Sequence, residues 1–215
     1  MIERFRKAEL SKLKVAFDKD YAVYEKTNIA HRHEVRMNLM MPKWGTCIPT
    51  PFIVNKIVKW YKQAAIQNPK VKIYDVGAGT GMLLVMLYLA GIPYDALVGV
   101  DLPRQCFYEE TPRYWKIVED SSFQVPKDDI ILIAYGERLS FALKSYLARG
   151  GSKVILIGAE SKGKTNFQQP PTDVFVDRPL WSTELEALPC LELHGSIREI
   201  ITYNTSRGMP RMGSP

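Results

Sequence analysis

The chain has 215 residues, 46% of them hydrophobic and 24% charged, a composition that suits a globular domain with a full core and not a disordered or low-complexity chain. Its formal net charge is +6, a mild excess that permits an acidic partner without requiring one. Three cysteines, Cys47, Cys106 and Cys190, lie far apart with no C-x-x-C pair, which argues against a disulfide framework or a zinc ribbon and favours a reducing, cytoplasmic setting. The charged start MIERFRKAEL is not a secretory signal, and the apolar run at 82–92 is too short to cross a bilayer, so no membrane association is expected.

Residues 1–44 hold ten basic and six acidic side chains and carry most of the net charge. The spacing of Ile2, Phe5, Leu10, Leu13, Val15 and Phe17 predicts one or two amphipathic helices, a basic extension covering one edge of a domain at 45–205. His31 and His33 stand close together, but an H-x-H pair with no third ligand is a poor metal signal, and no metal is expected. Thr50 and Pro51 predict a helix N-terminus, with the helix running to about Gln67 and ended by Asn68-Pro69.

From there the pattern alternates. Strands are predicted at 71–77, 95–101, 113–120, 128–136 and 153–160, with helices at 81–91, 138–150 and around 181–188. The segments 190–197 and 198–205 read as a closing strand pair, and 206–215 as a disordered tail. Strands that are apolar throughout, alternating with helices, predict an α/β fold with a mostly parallel sheet covered on both faces.

Two glycine clusters follow apolar strands, and one chain of this size is expected to use one of them. GAESKGKT at 158–165 fits the phosphate-loop pattern G-x-x-x-x-G-K-[ST]. That loop needs a helix starting at its G-K-T, and here NFQQPPTD follows, where Pro170 and Pro171 prevent one. YDVGAGTG at 74–81 does lie between a strand and a helix. Its glycines fall at 77, 79 and 81, whereas a dinucleotide fingerprint would put the third at position 82, where this chain has Met82. Asp75 adds a carboxylate that can face a cationic amino group. Asp101, twenty residues after Gly81 at the end of the next strand, can accept hydrogen bonds from both hydroxyls of a ribose.

D-V-G-A-G-T-G at 75–81 followed by V-G-V-D at 98–101 resembles the first two motifs of the class I S-adenosylmethionine-dependent methyltransferases. The resemblance covers about residues 50–205. It implies a Rossmann-like fold with a seven-stranded sheet, helices on both faces and a C-terminal antiparallel strand pair. It implies S-adenosyl-L-methionine as cofactor. Asp75, Gly77 and Gly79 would line its methionine end, with Ala78 and Gly81 in the same loop. Asp101 would hold the ribose, and Asp120 would face the adenine amino group. A looser resemblance, carried by W-G-T-C-I-P-T at 44–50 and by the residues from Tyr135 to Gly158 with I-G-A-E-S-K-G-K-T, is to uncharacterised methyltransferase-like proteins. It makes GAESKGKT the loop leaving the fifth strand.

Methyl transfer from a sulfonium needs an in-line approach and, for a weak nucleophile, a base. After the fourth strand this chain has A-Y-G-E, not the N-P-P-[YF] that amino-group methyltransferases of the family often carry. Tyr135 and Glu137 are the candidate catalytic residues. The expected function is methyl transfer to an unidentified acceptor, with RNA suggested by the basic N-terminal segment. The alternative is a methyltransferase-like fold serving as a non-catalytic interaction module. A nicotinamide-dependent oxidoreductase is a third reading, weakened by Met82.

Overall fold

The computed structural model describes residues 2–102, 112–135, 140–161, 181–193 and 197–206. The N-terminal part is helical: α1 (Ile2–Lys26), α2 (Ile29–Val35), a π-helical turn (Arg36–Met40), α3 (Met41–Trp44) and α4 (Pro51–Gln67). Then follow β1 (Ile73–Val76), α5 (Met82–Leu89), β2 (Leu97–Asp101), β3 (Ile117–Glu119), β4 (Ile130–Ala134), α6 (Ser140–Ala148), β5 (Lys153–Ser161), β6 (Trp181–Leu193) and β7 (Ile197–Ser206). The strands form one sheet in the order β3-β2-β1-β4-β5-β7-β6. The first five run parallel, and β7 lies antiparallel between β5 and β6. The chain order reverses between β1 and β4. In an open sheet of this kind that switch leaves a crevice at the carboxyl ends of the strands, where ligands bind.

Local chemistry explains the boundaries. The Thr50 hydroxyl accepts the Ile53 N–H at 3.3 Å and Pro51 opens α4, as the sequence predicts. One expectation fails. The helix anticipated around 181–188 is the first part of β6, paired with β7 from Trp181↔Ser206 to Ala187↔Ile200. The stretch WSTELEA also alternates with period two, and β7 supplies its hydrogen bonds, so the pairing partner outweighs the helical propensity of Glu, Leu and Ala. The register then shifts between Ala187 and Glu192, around Pro189, which has no N–H to give to the ladder. The anticipated closing pair is therefore β6 and β7, with β6 starting well before Cys190. The tail from 207 lies outside the described residues.

Seven of the eight residues of α5 are buried, so this helix has no solvated face and needs cover on the side away from the sheet. The N-terminal helices supply it. Phe17, Tyr24, Met40 and Trp44 belong to the same apolar core as α4, α5 and one face of the sheet. Trp60 of α4 stacks on Tyr203 at 5.1 Å, and its indole N–H donates to Glu184 at 3.0 Å.

The other face packs against α6, where Tyr146 is completely buried. Its hydroxyl accepts the N–H groups of Ser152 and Lys153 at 3.1 and 3.0 Å and donates to the Asp129 carbonyl at 2.7 Å. Burial pushes its pKa up to about 12. Tyr146→Phe leaves two backbone donors without a partner at the entry to β5. It is expected to cost about 2–3 kcal/mol, lowering Tm by roughly 5–10 °C in a calorimetric scan. An unchanged Tm would show that water replaces the hydroxyl.

Candidate functional site

The glycine loop occupies the crevice side of β1. Gly77, Gly79 and Gly81 all have positive φ (81°, 56° and 73°), a run that side-chain-bearing residues resist. The N–H groups of Gly77 and Ala78 both donate to the Val100 carbonyl, at 2.8 and 3.1 Å, which fastens the loop to β2. A Cβ on Gly81 would lie 2.5 Å from the Trp115 Cβ, so this position is closed to any side chain. A Cβ on Gly79 would meet nothing within 4 Å. There the backbone faces open space, and a ligand can approach it. Helix α5 begins at Met82, immediately behind the loop.

Asp101 ends β2 facing this loop. One carboxylate oxygen accepts the Gly79 N–H at 2.9 Å, and the other accepts the Leu102 N–H at 2.8 Å. Each oxygen keeps a further lone pair, so the group can take two more donors, as a vicinal diol presents them. Leu102, 46% exposed, lays an apolar side chain beside that acid, which suits a flat ring. Asp120 follows β3. Its N–H donates to the Asp101 carbonyl at 3.2 Å, which brings the two acids to one rim. The Asp120 carboxylate accepts the hydroxyl and N–H of Ser122, both at 2.8 Å, and those two bonds lower its pKa.

Asp75 differs from both. It is 2% exposed, and no donor among the described residues reaches its carboxylate. Burial first, and the charge of Asp101 second, raise its pKa to about 7. A buried carboxylate without donors either holds its proton or waits for a cation. The loop therefore presents a neutralisable acid behind it, a half-buried acid before it, and bare backbone between.

Tyr135 directly follows β4. With φ 53° it is the one non-glycine residue in the left-handed region among those described, and its N–H donates to the Ile157 carbonyl at 2.8 Å. The Arg36 guanidinium stands 5.3 Å from its ring centroid. Glu137 lies outside the described residues. The structure therefore assembles Asp75, Gly77, Ala78, Gly79, Gly81, Asp101 and Asp120 around one loop, with Tyr135 on the neighbouring strand. In the second glycine cluster, Gly158–Glu160 lie in the strand predicted at 153–160, and β5 runs on to Ser161, paired with β7 from Gly158↔Ile200 to Ser161↔Ile197, so the looser resemblance that made all of GAESKGKT a loop is corrected for these four residues. A backbone committed to a ladder cannot cradle phosphates, and the remainder, 162–165, lies outside the described residues.

Some residues of the site escape a reading by motif. Leu102 signals itself only as an apolar residue directly after the strand-end acid. Thr80 occupies a variable position inside the glycine motif, yet is buried. Arg36 and Trp44 come from the segment read as an extension. The described helices include none long and apolar enough to cross a membrane.

No protein-family model and no curated protein matches the chain. Solved structures do. The magnesium protoporphyrin IX methyltransferase of Synechocystis PCC 6803, with bound S-adenosylmethionine, is 14% identical over 71% of this chain and 78% of its own, with a TM-score of 0.43. The plantazolicin methyltransferase BpumL, in complex with a triazolic desmethylPZN analog and S-adenosylhomocysteine, is 11% identical over 93% of this chain and 99% of its own, with a TM-score of 0.44. The METTL16 methyltransferase domain is 14% identical over 80% of this chain and 76% of its own, again at 0.44. At these values no residue's role passes from them to this chain. The sheet order, the antiparallel β7 between β5 and β6, and the glycine loop between β1 and α5 make this a Rossmann-like α/β fold with a mostly parallel seven-stranded sheet, the architecture that the sequence resemblance implies.

Proposed function

We propose that the protein is an S-adenosyl-L-methionine-dependent methyltransferase. The observation that carries this reading is the pairing of the open Gly79 backbone with Asp101, whose two oxygens face the rim and keep capacity for a ribose diol. Asp101 holds the ribose, Leu102 backs the adenine, and Asp120 accepts from its amino group. Gly77, Ala78, Gly79 and Gly81 shape the methionine end, where Asp75 faces the cationic amino group. The bound cofactor supplies an activated methyl group on sulfonium sulfur. Tyr135, directly after β4, and Glu137 orient the nucleophile and take its proton. RNA is the acceptor class that the basic residues of 1–44 favour, and the cytoplasm is the compartment that the cysteine pattern favours. The second reading, a non-catalytic module, draws on the A-Y-G-E sequence after β4.

Thermal unfolding in parallel with S-adenosylmethionine, S-adenosylhomocysteine, ATP–magnesium and NAD tests the cofactor. Ligand at about 100 times its Kd adds roughly 2.7 kcal/mol, a rise of about 5–10 °C in Tm. The first two ligands alone are expected to give it. A rise with NAD or ATP alone would replace the reading, and no rise with any ligand would favour the module.

A further inference from the structure

The glycine loop is held by more than the sheet. Thr80, 3% exposed, donates its hydroxyl hydrogen to the Trp44 carbonyl at 2.8 Å and accepts the Met82 N–H at 3.3 Å. One buried hydroxyl thus closes the start of α5 and ties the loop to the end of α3. Gly45 comes next with φ 96°, and a Cβ there would stand 3.0 Å from the Thr80 hydroxyl oxygen, so the two segments are in contact. Tyr114 completes the join. Its hydroxyl donates to the Lys43 carbonyl at 3.1 Å, its N–H donates to the Thr80 carbonyl at 2.7 Å, and its ring lies 5.5 Å from that of Trp44. Trp44 is itself anchored to α1, its indole N–H donating to Asp20 at 3.0 Å. The same segment reaches β4: Arg36 donates to the Thr46 carbonyl at 3.2 Å and lies over the Tyr135 ring. Residues 36–46 therefore touch the loop after β1, the segment entering β3 and the end of β4. These border the one crevice.

We propose that Thr80 is a positioning residue, through which residues 36–46 clamp the glycine loop in its ligand-ready shape. This rests on the cofactor reading above. Thr80, 3% exposed, leaves little surface for a ligand; it acts by fixing the backbone of Gly79 and Gly81, whose left-handed conformations two flexible residues would not hold alone. The N-terminal helices thereby become part of the cofactor site as well as cover for α5.

The test uses the full chain with Thr80→Val, Thr80→Ser and Tyr114→Phe. Two readouts are taken: hydrogen exchange at the amides of Gly77–Met82, and the Kd for S-adenosylhomocysteine by calorimetry. Thr80→Val keeps the shape and removes the hydroxyl. It is expected to speed loop exchange about tenfold against the amides of β4, and to weaken binding by about the same factor. Thr80→Ser is expected to restore both, and Tyr114→Phe to shift both in the same direction by a smaller factor. The proposal is overturned if Thr80→Val changes loop exchange no more than β4 exchange, or if Thr80→Ser fails to restore the wild-type values. If the wild type binds no S-adenosylhomocysteine, the cofactor reading falls, while loop exchange still decides whether the clamp exists.

Discussion

The Asp75→Asn variant is expected to unfold with a pH dependence that differs from wild type across the range from about pH 4 to 7. Asp75 has a raised folded-state pKa of about 7 against 3.8 for the ordinary side chain, with burial as the main cause and Asp101 as the second. The unfolded chain therefore releases a proton that the folded chain keeps. Stability from this group is fully present below pH 4 and is lost as pH rises through 7. The loss is on the order of 4 kcal/mol across that window. Asparagine cannot ionise, so the variant gains on wild type as pH rises, by about 2–4 kcal/mol at pH 8 after allowing for a buried amide. Denaturant midpoints of both proteins at intervals from pH 4.5 to 8.5 measure it. Parallel curves would mean that Asp75 is solvated or paired in the folded state. A cationic ligand group facing Asp75 changes the picture in a defined direction. It favours the ionised form, so S-adenosylmethionine affinity rises with pH up to about 7 in wild type and loses that dependence in Asp75→Asn.

That acid was legible in the sequence as a position, and its state was not. D-x-G-x-G-x-G names Asp75 and three glycines because backbone sterics strongly favour glycine where φ is positive, and that preference is local. Asp101 was legible because strand length and helix length fix its separation from the loop. The burial of Asp75 depends on its neighbours in β2 and β4, Gly99 and Leu132, which no local pattern reveals. The error at β6 has the same origin. WSTELEA carries both a helical propensity and a two-residue alternation, and only the presence of β7 decides between them. The N-terminal segment was read from charge as a basic extension. The rings of Phe17, Tyr24 and Trp44, which enter the main core, are spread over 28 residues and two helices, so no single periodicity gathers them.

Tyr135 illustrates a residue type in a place that sequence can suggest but not interpret. It follows an apolar strand, which marks the crevice. Its left-handed backbone costs about 1–2 kcal/mol for a residue with a Cβ, and the surroundings must hold it. The Ile157 carbonyl and Arg36 do so from two different elements. Such stored strain at the end of a central strand accords with a role on the acceptor side.

Asp101→Ala carries the largest expected effect on binding. The variant removes the oxygens that accept the Gly79 and Leu102 N–H groups and that face the proposed ribose diol. Two hydrogen bonds to a charged acceptor, each contributing about 1.5–3 kcal/mol, correspond to at least a 100-fold loss of affinity. Asp101 is only partly buried, so the fold itself is expected to survive, with Tm within a few degrees of wild type. Calorimetric titration of wild type and Asp101→Ala with S-adenosylhomocysteine is the direct measurement. Saturable one-to-one binding by wild type, weakened at least about 100-fold in a folded Asp101→Ala, is the predicted result. Equal affinity in the two proteins, or no binding by a folded wild type, would contradict the assignment of this loop as the cofactor site.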